Sequence, residues 1–239
     1  MTLQTKAIEY QDGETELTGQ LVWDDSRKDR RPGILVVHGG AGLDDHAKGR
    51  ARRLAELGFA VFACDMYGKG VAGNREQIMA RLTEFKADRA KLVTRVRAGF
   101  AVLAAQPQLD GRMAAVGYCF GGMTVLDLAR SGVELAGVVS VHGSLDTPLP
   151  AATGIVKAKI LVCHGALDPY VPIAHVNAFV EEMNGAAADW QLNIYAGAMH
   201  GFTHEKGPYH PGVAYNAQAD SRSAAAIHEF FAEIFGPSN

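Results

Sequence analysis

Gly117-Tyr118-Cys119-Phe120-Gly121-Gly122 places a thiol at the centre of a glycine-flanked hexapeptide, and the residues around it suit a nucleophile held on a sharp turn. Met113-Ala114-Ala115-Val116 upstream is a short apolar run of strand character. Met123-Thr124-Val125-Leu126-Asp127-Leu128-Ala129-Arg130 downstream has helical character, closed by Ser131-Gly132. A strand-to-helix turn of this kind forces its central residue into strained backbone angles, and only glycine-sized neighbours at 117 and 121 leave room for it. Cys119 would then stand exposed above a sheet edge, and the expected chemistry is nucleophilic attack by sulfur.

A cysteine nucleophile requires a base to take its proton and a third group to orient that base. In a strand-helix chain of this type the order is nucleophile, then acid after a later strand, then histidine after the last strand. Ile160-Leu161-Val162-Cys163-His164 is such a later strand, and Asp168, in the turn Gly165-Ala166-Leu167-Asp168-Pro169, fits the acid. A plain turn aspartate before proline is the competing reading. Gln191-Leu192-Asn193-Ile194-Tyr195 is the last strand, and His200, in the loop from Ala196 to Phe202, fits the base.

Nine histidines compete for that role. His38, His142 and His164 close strands and could line a pocket, but they precede or sit beside the acid in the order. His175 and His228 fall in helical segments. His200, His204 and His210 together offer the residue types of a metal cluster, yet Gly201 breaks the helix on which an H-x-x-x-H pair would share a face, so no metal is expected. His38-Gly39-Gly40-Ala41-Gly42 follows an apolar strand and suits a loop that lends a backbone N–H to a developing oxyanion. Gly40 and Phe120 are the expected N–H donors.

Two nucleotide patterns fail on inspection. Gly117 to Thr124 has phosphate-loop spacing, but Met123 stands where the lysine must be. Gly68-Lys69-Gly70-Val71-Ala72-Gly73 matches a dinucleotide fingerprint, but Asp88, twenty residues on, reads as part of a helical segment rather than the end of a second strand.

These side chains need a frame. Continuous apolar runs at Gly33 to His38, Ala60 to Asp65, Met113 to Val116, Ala136 to Val141, Lys159 to His164 and Gln191 to Tyr195 alternate with segments of helical periodicity. Unbroken apolarity is expected of strands covered on both faces, so the fold class is α/β, with a mostly parallel, doubly wound sheet flanked by helices. Leu17 to Trp23, after Asp12-Gly13, reads as part of an antiparallel edge hairpin. The 239 residues show no Pro-, Gly- or Ser-rich linker and are expected to form a single domain over 1–239. The stretch 67–85, with three glycines and then a charged amphipathic segment before a long helix running to about Gln106, suits either a cap over a pocket or a solvated loop and helix.

The composition, 48% hydrophobic and 21% charged with a net charge of -3, has no basic stripe or acidic tail. Neither nucleic acid nor a membrane is therefore an expected partner, and a small molecule is. No basic start followed by an apolar segment opens the chain, so a cytoplasmic location is expected. Three widely spaced cysteines without C-x-x-C support neither a disulfide framework nor a zinc site.

Taken together, G-Y-C-F-G-G, G-A-L-D-P and A-M-H-G-F resemble the dienelactone hydrolase family of α/β-hydrolases, over nearly the whole chain and including Asp65-Met66-Tyr67-Gly68. The resemblance implies a Cys119-His200-Asp168 triad acting on small esters or lactones without a cofactor, in a monomer or weak homodimer. It also implies a substrate site near Gly39, Tyr67, Arg75 and His204. Two departures stand out. Family members carry a glutamate that interacts with the resting cysteine where this chain has Gly39, and a substrate-binding arginine where it has His204. Cys119 must be held differently here, and a non-catalytic binding protein on the same fold is the alternative.

Overall fold

The computed structural model describes residues 1–207 and 209–236. They form two compact units, residues 1–116 and residues 117 onward. The fold class is the expected one, a mostly parallel eight-stranded sheet with flanking helices.

In the first unit β1 (Leu3–Asp12) and β2 (Thr15–Asp24) pair antiparallel from Leu3↔Asp24 to Asp12↔Thr15. The turn between them holds Gly13 at φ +57°, a conformation that glycine adopts without the Cβ clash other residues pay. The hairpin is thus longer at both ends than its apolar segment alone suggested, because the exposed face of β1 is polar. β3 (Arg31–Val37) and β4 (Ala60–Cys64) run parallel, β2 joins β4 antiparallel, and the order continues β1-β2-β4-β3 to β5 (Leu109–Tyr118). Every residue of β4 is buried, as continuous apolarity requires.

Three helices complete this unit: α1 (Asp45–Glu56), α2 (Arg75–Ala87) and α3 (Arg89–Ala104). Asp88, which the sequence pattern placed inside a helical segment, instead separates α2 from α3. Its N–H donates to Glu84 O at 2.8 Å and its carboxylate accepts from Lys91 N at 2.9 Å, so one residue closes one helix and caps the next. Arg95 on α3 is buried and ties the hairpin turn to the chain after β4. It reaches Asp12 at 2.6 Å, Thr15 Oγ1 at 3.1 Å and Met66 O at 2.9 Å.

The last two residues of β5, Gly117 and Tyr118, open the second unit and lead through Cys119 into α4 (Phe120–Arg130). Parallel strands β6 (Gly137–Val141), β7 (Lys159–Gly165) and β8 (Trp190–Tyr195) follow in the order β6-β7-β8. Helices α5 (Ile173–Gly185) and α6 (Ala217–Phe235) complete the unit. All eleven residues of α4 are buried; most are apolar, and the exceptions Thr124, Asp127 and Arg130 are hydrogen-bonded or ion-paired. Glycine is required where α6 crosses β6, since a Cβ on Gly137 would lie 2.7 Å from the Phe230 ring. Among the described residues no helix is long and apolar enough to cross a membrane.

One buried ionic cluster anchors α4. Arg130 pairs with Asp127 at 3.0 Å and with Glu182 on α5 at 2.7 Å, and also donates to Leu145 O at 2.9 Å. Removing the guanidinium leaves two buried carboxylates without their cation, a loss of about 3–5 kcal/mol for such clusters. Arg130→Ala should therefore lower the free energy of unfolding read from urea denaturation by an amount in that range, and a loss below about 1 kcal/mol would show that the cluster is solvated.

Candidate active site

At the junction of β5 and α4, Cys119 adopts φ +54°, ψ −114°. A non-glycine residue held this far from the common basins costs about 1–3 kcal/mol and persists only where its surroundings impose it. Those surroundings are close-packed backbone. A Cβ on Gly117 would lie 1.9 Å from Gly121 O, and one on Gly122 would lie 2.8 Å from Gly143 Cα, so neither position accepts a side chain. The carbonyl of Cys119 accepts from Gly122 N at 3.0 Å and Met123 N at 3.3 Å, starting α4. Its N–H is shared by Val141 O at 3.0 Å and His142 Nδ1 at 3.1 Å. The spacing read from the sequence identified Gly117 and Gly121; the requirement at Gly122 comes from the β6 end, which only folding brings near.

Asp168 and His200 arrive on the turns after β7 and β8. Asp168 N donates to Gly165 O at 3.1 Å, which closes the first turn, and Leu167 N donates to Ala198 O at 2.9 Å, which links that turn to the second. The backbone of His200 is held on both sides by its N–H to Gly212 O at 3.1 Å and by Ala214 N to its carbonyl at 3.2 Å. In consequence His200 Nδ1 lies 2.8 Å from Asp168 Oδ2, and His200 Nε2 lies 3.0 Å from Cys119 Sγ. The other Asp168 oxygen accepts from Tyr170 N at 2.9 Å, and the Tyr170 ring stands edge-on to His200, 5.2 Å between centroids. Of the three side chains expected from their order along the chain, His200 is thus within hydrogen-bond reach of both Asp168 and Cys119.

The electrostatics of this set favour an ion pair. Burial disfavours a charge on His200, but hydrogen bonds with Asp168 and Cys119 and the negative charges on both outweigh it, and its pKa is pushed up to about 10. An imidazolium beside sulfur holds a thiolate, the nucleophilic form. By contrast Cys163, buried in β7, has its thiol pushed up to about 12 by burial, and burial also raises that of Cys64. Neither is suited to be a nucleophile at neutral pH.

The remaining expected residues divide between the units. Phe120 is the first residue of α4, so its N–H lies at the helix N-terminus. His204 lies with its ring 5.6 Å from that of His142. Gly39, Gly40, Tyr67 and Arg75 belong to the first unit. There Tyr67 Oη donates to Gly40 O at 3.2 Å, and Arg75 is the first residue of α2. Among the described residues no group of three His, Cys, Asp or Glu could hold a metal ion. The sequence marks His142 as a strand-closing histidine that could line a pocket, without a role toward Cys119. Its ring reaches the Cys119 N–H through a backbone at φ +41°, and no spacing rule announces such a bend. Tyr170 was not singled out at all.

A strained cysteine on a strand-helix turn, paired with a histidine and an aspartate from later loops of an α/β sheet, defines a class of protein. The dienelactone hydrolase family model matches residues 19–235, and the chain belongs to that family. It is similar to the solved structure of m3DLH, with 39% identity and a TM-score of 0.91 over 98% of this chain and 100% of that one. It is equally similar to a dienelactone hydrolase-like promiscuous phosphotriesterase from metagenomic libraries, with 39% identity and a TM-score of 0.92 over 99% of this chain and 100% of that one. Uncharacterized protein K02A2.1 of Caenorhabditis elegans is 36% identical over 151 residues, which are 61% of this chain and 95% of that protein.

The raised pKa of His200 has a testable sign. A histidine whose folded pKa lies above its ordinary 6.5 adds stability that is fully present below that value and is lost as pH rises through about 10. An NMR titration should accordingly find the His200 ring protonated through neutral pH with its midpoint near 10. Asp168→Asn should move the midpoint down, because it removes the negative charge and leaves at most a weaker, neutral hydrogen bond to the ring. A wild-type ring that is neutral at pH 7 would contradict the ion pair.

Proposed function

We propose that this protein hydrolyses small carboxylic esters or lactones through a thioester acyl-enzyme on Cys119. The observation that carries the reading is the 3.0 Å separation of His200 Nε2 and Cys119 Sγ, with Nδ1 of the same ring 2.8 Å from Asp168 Oδ2. In the first half-reaction the Cys119 thiolate attacks the carbonyl carbon, and the carbonyl oxygen takes up the charge. Phe120 N–H, at the positive end of α4, is placed to stabilise that oxyanion. As the carbon–oxygen bond to the leaving group breaks, His200 gives its proton to the departing alkoxide.

The second half-reaction reverses the roles. Neutral His200 takes a proton from water, the hydroxide attacks the thioester carbon, and the thiolate leaves as the acid forms. Asp168 holds the tautomer in which Nε2 faces sulfur and water, and stabilises the imidazolium at both stages. No redox or group-carrying cofactor is needed to balance either step. In a lactone the leaving alkoxide stays tethered to the acyl group, so one product results instead of two.

A second substrate class is favoured by one specific likeness, the 39% identical protein named as a promiscuous phosphotriesterase. A neutral phosphotriester also presents an electrophile with an ester leaving group, and the same thiolate can attack phosphorus. The carboxylic reading is tested first. Cys119→Ala should reduce hydrolysis of nitrophenyl acetate by about 10³-fold or more, as loss of a catalytic nucleophile does. Wild type rapidly mixed with substrate and quenched should carry an acyl mass adduct on Cys119. Equal rates in wild type and variant, without an adduct, would overturn the mechanism. Turnover of a nitrophenyl phosphotriester by the same pair of proteins decides whether the second class is also accepted.

A further inference from the structure

We propose that His142 is a positioning residue for the Cys119 thiol, an uncharged imidazole that braces the strained turn and ties it to the loop carrying His200. The proposal rests on the hydrolytic reading of Cys119. Among the described residues three non-glycine positions have positive φ: Cys119 at +54°, His142 at +41° and Ala187 at +53°. Two of these three are joined directly, since the N–H of Cys119 is shared between Val141 O at 3.0 Å and His142 Nδ1 at 3.1 Å. Strained residues that hold one another in place are expected where a reactive atom must be aimed.

This contact assigns the proton on the ring. A backbone N–H can only donate, so Nδ1 must present its lone pair, and the proton of the neutral ring resides on Nε2. Nε2 in turn lies 2.8 Å from Thr203 Oγ1 and donates to it. Both nitrogens are engaged on a fully buried ring, and a second proton on Nδ1 would oppose the Cys119 N–H. The structure therefore gives two neighbouring histidines opposite states. His200, 5.4 Å away between ring centroids, carries the charge, and His142 remains neutral and adds no like charge beside it.

The same ring also joins two chain segments. Thr203 sits three residues after His200, and Phe202 between them packs edge-on against His142 at 5.1 Å and 84°. The bare Gly122 and Gly143 backbones let α4 approach the segment that carries His142, because a Cβ on either would lie within 2.8 Å of the other's Cα or carbonyl carbon. A continuous path runs from the Cys119 amide through imidazole to the hydroxyl of Thr203. It fixes the Cys119 backbone and the His200 loop relative to each other, and so the 3.0 Å sulfur-to-nitrogen separation.

Amide side chains separate this role from simple packing. In His142→Asn the side-chain oxygen falls near the position of Nδ1 and can still accept from Cys119, and asparagine tolerates positive φ. In His142→Gln the amide instead reaches the Nε2 position and leaves the Cys119 N–H with Val141 alone. The Gln variant should lose about 10²-fold in kcat with KM little changed, the size expected when a reacting atom is misplaced by about 1 Å. The Asn variant should recover to within about tenfold of wild type. Nitrogen-15 NMR of the wild-type His142 ring should show Nδ1 unprotonated and Nε2 protonated, a readout that needs neither activity nor a folded variant. Wild-type kcat in the Gln variant, equal losses in both variants, or a proton on Nδ1 would overturn the proposal. Failure of the hydrolytic reading itself would show differently, as full activity in Cys119→Ala.

Discussion

Everything in the second unit is arranged around a backbone conformation that a cysteine would not adopt by choice. Cys119 at φ +54° is held by the hydrogen bonds that start α4, by the end of β6 and by the absence of side chains at Gly117 and Gly122. Relaxing that strain would return the residue to a common basin and turn the sulfur away from His200. The cost of about 1–3 kcal/mol is small against the burial of α4, all of whose residues are inside, and the ionic cluster of Arg130 that anchors its end. The turn is therefore kept by the helix and strand on either side of it, and the reactivity of sulfur depends on packing several residues away.

Charge is placed with the same economy. His200 is buried yet its pKa is raised, because Asp168 and Cys119 meet it, one on each ring nitrogen. Asp168 is in turn held through both oxygens, by the imidazole on one and the Tyr170 N–H on the other, which restrains it from rotating away. The other two cysteines illustrate the contrast. Cys64 and Cys163 lie in buried strands where desolvation raises their pKa, whereas Cys119 on the turn lies 3.0 Å from His200 Nε2. One residue type thus fills the core twice and stands on a strained turn once, according to its surroundings.

Much of this was legible in the chain. Continuous apolar runs mark strands covered on both faces, and the observed β3, β4, β6, β7 and β8 agree with them to within about two residues. The order thiol, acid, imidazole could be read because each follows an apolar run, and strand ends are where a parallel sheet presents its loops. Boundaries were read less well where a polar residue decided them. Asp88 interrupts what looked like one helical segment, since an aspartate can cap a helix as readily as ride on its surface.

What the residues determined by themselves is therefore local and periodic: the strands and helices, the glycines that permit a sharp turn, and the identity of the three groups that could exchange a proton. What only the tertiary structure decided is which distant atoms meet: the 3.0 Å approach of His200 to sulfur, the packing of Gly122 on Gly143, and the contact of His142 with the Cys119 amide. The physical reason lies in range. Periodicity and turn preference act over a few residues, whereas the raised pKa of His200 and the contact of His142 with the Cys119 amide depend on partners 23 to 81 positions away, whose approach is set by how strands and helices pack.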